Sequence, residues 1–194
     1  TKNKPLRLTV STFSGKIHYE QDAVAFHSLS GLLSVTKTGK TLTLNFPCRK
    51  PEKCEIPHEL VKGLGKTPFE CYRGEDFLAV FDSEKEISSI QPNHGFLEQL
   101  DLRGVIVTAR SSADDLDFVA RFFAPKYGIP EDPVTGSAYT QLTPYWSEKL
   151  GKTMLSAKQI SPRGGKLTCE LKNNRVFISG SAIKYMEGTI EIRT

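Results

Sequence analysis

The chain has 194 residues, 38% of them apolar and 25% charged, the composition of an ordinary soluble globular protein. At this length it is one large domain or two small ones and buries roughly 70% of the surface its unfolded form exposes, so no staple is needed. The net charge is +4, and the 26 basic residues are spread rather than clustered. That spread excludes a basic nucleic-acid-binding arm.

The first segment, 6–19 (LRLTVSTFSGKIHY), alternates apolar and polar residues and breaks at Gly15. Residues 23–46 do the same, with turn signals at Ser30-Gly31 and Thr38-Gly39-Lys40. Period-two alternation bounded by Gly predicts half-buried antiparallel strands. The segment PCRKPEKCEIP, dense in Pro and charge, reads as a linker. PHELVKGLG reads as a short helix that starts near Pro57 and stops at Gly63 or Gly65. Residues 70–90 predict a hairpin turning near Arg73-Gly74, and 93–111 a short helix followed by a strand over Gly104–Ala109. DLDFVARFFAP is a further strand, ended by Pro125. Leu142, Tyr145, Trp146 and Leu150 fall near helical spacing, with Pro144 bending that helix or limiting its first turn and Gly151 ending it. The tail from Met154 is all strand, with turns at Arg163-Gly164-Gly165 and Asn173-Asn174 and a break at Gly180. One helix set among many antiparallel strands is α+β rather than alternating βαβ.

No apolar run reaches the roughly 18 residues a membrane span needs. Cys48, Cys54, Cys71 and Cys169 contain no CxxC pair, and His18, His27, His58 and His94 are too irregularly spaced for a metal cluster. A metal site is therefore not expected. The N-terminus carries no signal-like apolar region, so the thiols read as reduced and the location as cytoplasmic. The chain opens on Thr1 rather than Met, as a fragment or processed chain would.

The segment EDPVTGSAYT, 131–140, carries the chemistry. Pro133 fixes its own φ and pushes Asp132 into an extended conformation, which orients the Asp132 carboxylate. Gly136 allows close backbone approach to a ligand. Ser137 and Ala138 fall at the start of the predicted helix, where free N–H groups and the dipole favour an anion. A proton-exchanging acid beside donors that stabilise an anion is the minimum kit for proton abstraction next to a carbonyl. Helix capping explains the same residue types without chemistry. At Arg163 two readings stand: a guanidinium for a substrate carboxylate, or a hairpin turn with a solvent-facing arginine.

The string FFAPKYGIPEDPVTGSAYTQLTPYW, Phe122–Trp146, strongly resembles the signature of the PhzF-like (phenazine-biosynthesis-like) family. KQISPRGGKLTCEL and RVFISGSAIKYMEG follow where a second family block is expected, and FHSLSGLLSVTKTGKTLTLNFP resembles the segment ending that family's first lobe. The resemblance implies a diaminopimelate epimerase-like fold: two lobes, each a curved antiparallel sheet rolled around a central helix, with the site in the cleft between them. It implies isomerisation by acid/base proton transfer on a small carboxylate-bearing metabolite, without metal or organic cofactor. Asp132 matches the second-lobe active-site aspartate, Gly136 and Ser137 the helix-start residues that hold substrate, and Arg163 the RGG turn near the cleft. Tyr139 stands where the family has His. Neither the SETAF-like segment with the first-lobe glutamate nor the CGHAT motif occurs in this sequence.

The expected organisation is a partial first lobe over 1–50, a connecting segment and the start of the second lobe over 51–103, and the second lobe with the EDPVTGSA and RGG motifs over 104–194, the second lobe being complete. An open first-lobe face is expected to expose Phe26, Leu32, Val35, Leu42 and Leu44, so that the chain forms a homodimer or pairs with another chain. The competing function is a non-catalytic remnant that keeps the second lobe as a binding protein.

Overall fold

A computed structural model describes residues 23–28 and 31–182. The strand expected over 6–19, His18, and the tail from residue 183 lie outside the described residues.

Among the described residues eleven strands form one sheet in the order β1-β2-β3-β11-β10-β9-β8-β7-β6-β5-β4. The first three, β1 (Ala23–Ser28), β2 (Gly31–Thr38) and β3 (Thr41–Pro47), form an antiparallel meander. β4 (Glu52–Lys53) is the far edge and pairs with β5 (Glu70–Arg73), which turns back into β6 (Phe77–Val80) at the expected Arg73-Gly74 turn. β7 (Val105–Arg110), β8 (Phe118–Phe123), β9 (Met154–Gln159), β10 (Gly165–Lys172) and β11 (Arg175–Ser181) complete it. β3 joins β11, so the sheet closes its chain order back on itself.

Among the described residues four α-helices pack on the two faces. α1 (His58–Leu64) ends at Gly65, whose φ of 66° is the left-handed conformation a Cβ disfavours. α2 (Glu84–Ser88), α3 (His94–Leu97) and α4 (Tyr139–Leu150) follow. α1, α2 and α3 lie on one face, where Leu60, Ile87 and Leu97 meet Val105, Val107, Val119 and Phe123. α4 lies on the other, where Leu142, Tyr145 and Trp146 meet Ile106, Phe118, Phe122, Leu155, Cys169 and Val176. β7 and β8 therefore bury both faces, and each fully buried Leu or Phe contributes about 2 kcal/mol. Trp146 stacks on Phe118 with ring centroids 5.5 Å apart and donates its Nε1–H to Thr108 Oγ1 at 3.0 Å, so it anchors the helix.

Pro144 sits inside α4 and has no N–H for the Thr140 carbonyl. That carbonyl accepts instead from the Arg49 N–H at 3.0 Å. The lost helical bond becomes a tie to the segment after β3. Gly151 ends the helix as expected, with φ 66° and its N–H on the Ser147 carbonyl.

The structure departs from the sequence-based expectation in several places, among them β4 inside the segment read as a linker. β6–β7 and β8–β9 are parallel, each joined by a helical crossover, so the sheet is curved and mostly but not wholly antiparallel. Residues 84–88 are helical rather than hairpin, because Ser83 and Glu86 form a reciprocal capping box. Gly180 does not break the tail: it lies within β11 opposite Leu42.

Candidate active site

The crossover from β8 to α4 carries the EDPVTGSA segment. Its two acids do different things. Glu131 forms a two-pronged pair with Arg121, Nε to Oε1 at 2.8 Å and Nη2 to Oε2 at 2.9 Å. Arg121 Nη1 also donates to the Ile87 and Ile90 carbonyls, each at 2.9 Å. Glu131 is thus committed to holding β8 against the end of α2.

Asp132 points elsewhere. Its N–H donates to the Phe122 carbonyl at 3.0 Å, and its Oδ2 accepts from Thr135 Oγ1 at 2.5 Å. No Arg or Lys pairs with it among the described residues, and it is half-buried. Gln159, 1% exposed at the end of β9, grips the turn from below. Its Nε2 donates to the Asp132 carbonyl at 2.7 Å, and its Oε1 accepts the Thr135 N–H at 2.9 Å. Ser161 Oγ donates to the Pro133 carbonyl at 2.7 Å and accepts from the Gly164 N–H at 3.0 Å. The Arg163-Gly164-Gly165 turn therefore packs directly on the Asp132–Thr135 turn.

Gly136–Ala138 is a single 3₁₀ turn leading into α4. No side chain caps it: neither Thr135, before the 3₁₀ turn, nor Ala138, before α4, accepts a helix-start N–H. The Ala138 N–H reaches the Thr135 carbonyl, while the Gly136 and Ser137 N–H groups bond no described residue. The capping explanation of this segment thus fails locally, and two donors remain open at the positive end of α4.

Ser137 Oγ accepts from Arg103 Nη2 at 2.9 Å. Arg103 in turn makes a two-pronged pair with Asp76, Nε to Oδ1 at 2.9 Å and Nη2 to Oδ2 at 2.6 Å. Asp76 is fully buried and also accepts from Gln141 Nε2 at 3.3 Å. Hydrogen bonding to Asp76 pushes the Arg103 pKa further up, so this positive charge beside the helix start is permanent.

Asp132, Gly136 and Ser137 thus share one segment, braced by β9 and the Arg163 turn. The Arg163 side chain itself is exposed and bonds no described residue. Tyr139 is fully buried against Phe118, its hydroxyl unpartnered and its pKa pushed well up by burial. It points into the core, not at the site. Sequence reasoning missed Gln159, Ser161, Thr135, Asp76 and Arg103. Gln159 and Ser161 lie in the KQISPRGG block already singled out, but Asp76 and Arg103 carry no local signal. A cavity of about 750 Å³ opens at the other end of α4, lined by Cys48, Lys50, Ser147, Lys152 and Asn174 among others, and none of the candidate residues lines it. Among the described residues no group of three or more His, Cys, Asp or Glu could hold a metal ion.

Comparison with known proteins gives the family. Residues 8–188 match the family model of phenazine biosynthesis-like proteins. An uncharacterized isomerase of Pseudomonas aeruginosa is 45% identical over 187 residues, covering 95% of this chain and 71% of that protein. One from Halalkalibacterium halodurans is 41% identical over 172 residues, covering 88% of this chain and 65% of its own. The crystal structure of a PhzF family phenazine biosynthesis protein from Enterococcus faecalis superposes with a TM-score of 0.81 at 44% identity, over 90% of this chain and 67% of that one. The chain spans about two thirds of the length of these relatives.

Proposed function

The chain belongs to the phenazine biosynthesis-like family, with its epimerase-like fold, and from that membership we propose that it is a PhzF-type isomerase. It moves a proton on a small carboxylate-bearing metabolite, with Asp132 as an acid/base group and no cofactor. One observation carries this reading. The Asp132 carboxylate is bound to the residue that begins an uncapped helix start, where the Gly136 and Ser137 N–H groups are open. An anion seated on those amides would face a carboxyl that can take or give a proton.

Each residue then has a task. Gly136 and Ser137 hold the substrate carboxylate, or the enolate formed from it, through their backbone N–H groups. Arg103 fixes the Ser137 side chain and adds positive charge nearby. Gln159 fixes the turn on which Asp132 is mounted. Arg163 is free to reach a ligand from the adjoining turn. A second acid/base group belongs to the first-lobe segment that this sequence does not contain.

The test is solvent exchange. The protein is incubated in deuterated water with a panel of small amino, keto and enol carboxylates, and each is followed by NMR. Deuterium entering a carbon next to the carboxylate or carbonyl is the expected result. Binding of carboxylates without any exchange across the panel would instead leave a non-catalytic binding protein.

A further inference from the structure

Cys54 and Cys71 stand face to face although sequence separates them. β4 and β5 pair with Glu52 opposite Arg73 and Lys53 opposite Tyr72. Continuing that register by one residue puts Cys54 opposite Cys71. The Cys54 N–H donates to the Cys71 carbonyl at 3.0 Å, and the two sulfurs are 3.6 Å apart. Opposed residues of this hydrogen-bonded kind have Cα atoms about 5.5 Å apart, within the roughly 4.4–6.8 Å that a disulfide spans. Both thiols are free.

Their surroundings differ in a useful way. Cys54 is half-buried and lines a surface depression of about 390 Å³ with Pro57, Arg73, Phe77, Leu100 and Asp101. Cys71 is 1% exposed and packs in the core under α1. One sulfur can be reached from solvent, and the other waits within contact of it.

We propose that Cys54 and Cys71 form a reversible oxidation site, converted to a disulfide by exchange with a low-molecular-weight disulfide that enters the depression at Cys54. Cys54 loses its proton to solvent, and its sulfur attacks one sulfur of the small disulfide. The small S–S bond breaks, one small thiolate leaves, and a mixed disulfide remains on Cys54. Cys71 then gives up its proton, and its sulfur attacks the Cys54 sulfur and expels the second small thiolate. The protein has lost two electrons and two protons, and the small disulfide has become two thiols. Burial, with the hydrogen bond from Cys54, pushes the Cys71 thiol up to about 12, so Cys71 does not make the first attack. Its proximity makes it the resolving thiol. The product ties the edge strand β4 covalently to β5.

The experiment treats the folded chain with oxidised glutathione at mildly alkaline pH, alkylates the remaining thiols after denaturation, and reads intact mass and a peptide map. Loss of two hydrogens is expected, with a peptide linking Cys54 to Cys71, Cys48 and Cys169 alkylated, and full reversal by dithiothreitol. Cys71→Ser should stop at one glutathione on Cys54, and Cys54→Ser should form no link. Four alkylated thiols, a link through Cys48 or Cys169, or a lasting glutathione adduct on wild-type Cys54 would each overturn the proposal. If a serine variant fails to fold, the wild-type peptide map decides alone.

Discussion

At the scale of single residues, neighbours in sequence have separate fates. Glu131 and its partner Arg121 are both largely buried, with side-chain exposures of 16% and 11%. Removing one partner of such a pair strands the other, so Glu131→Ala should cost about 3 kcal/mol in urea unfolding. Asp132→Asn keeps an acceptor for Thr135 Oγ1 and should cost less than about 1 kcal/mol by the same measure. Equal losses would mean that Asp132 is as structural as Glu131. Tyr139 gives an opposite case: its fully buried hydroxyl has no partner. Tyr139→Phe removes that desolvated group and nearly keeps the volume, so stability should hold or rise by about 1 kcal/mol. A loss of that size would show that the hydroxyl has a bonding role.

At the scale of elements, the join between α4 and the sheet edge is ionic as well as apolar. Glu70 on β5 accepts from Tyr145 at 3.1 Å and pairs with Lys149 of α4 at 3.1 Å and Lys53 of β4 at 3.2 Å. Burial alone would raise the Glu70 pKa, but the hydrogen bonds from Lys149, Lys53 and Tyr145 outweigh it and bring it to about 2, from an ordinary 4.5. A carboxylate depressed on folding stabilises above its unfolded pKa and loses that effect as pH falls toward its folded pKa. Glu70 should therefore add about 2 kcal/mol at neutrality, after screening of its exposed lysines, and lose it between about pH 4.5 and 2. Glu70→Gln should flatten the fall in unfolding free energy across that window; an unchanged slope would contradict the pairing. Elements were legible in the sequence where a local signal sufficed. The turn at Gly39 and the α4 stop at Gly151 each follow from one glycine, and the α1 stop, read as Gly63 or Gly65, falls at Gly65. The parallel β6–β7 and β8–β9 pairings were not legible, because both faces of β7 and β8 are buried and period two is lost. The α2 helix did carry a signal, the Ser83–Glu86 capping box, but its five residues are too short for a helical period.

At the scale of the whole molecule, the sheet extends past α4. Leu33, Val35 and Leu42 are half-buried on the face that carries Leu44 into the α4 core, while Leu32 lies on the opposite face and is 49% exposed. The five apolar residues expected on one open face thus divide between two faces, because Leu32 is one position out of step with Val35; the Phe26 side chain lies outside the described residues. We propose the Val35–Leu42 row as a surface for association, so sedimentation at micromolar concentration should show a dimer; a stable monomer would contradict that. The candidate site was legible as far as the EDPVTGSA string and the Arg163-Gly164-Gly165 turn reached. The Asp76–Arg103 pair that holds Ser137 is joined by folding across 27 residues, and no spacing rule reports it. The central claim is that Asp132 exchanges the proton while the Gly136–Ser137 helix start holds the anion. It is tested most directly by the rate of deuterium incorporation into a responsive carboxylate as a function of its concentration, for wild type, Asp132→Asn and Ser137→Ala. Asp132→Asn should lower the maximal rate by at least about 100-fold with little change in half-saturation. Ser137→Ala should mainly raise the half-saturating concentration. A maximal rate left intact in Asp132→Asn would contradict the account.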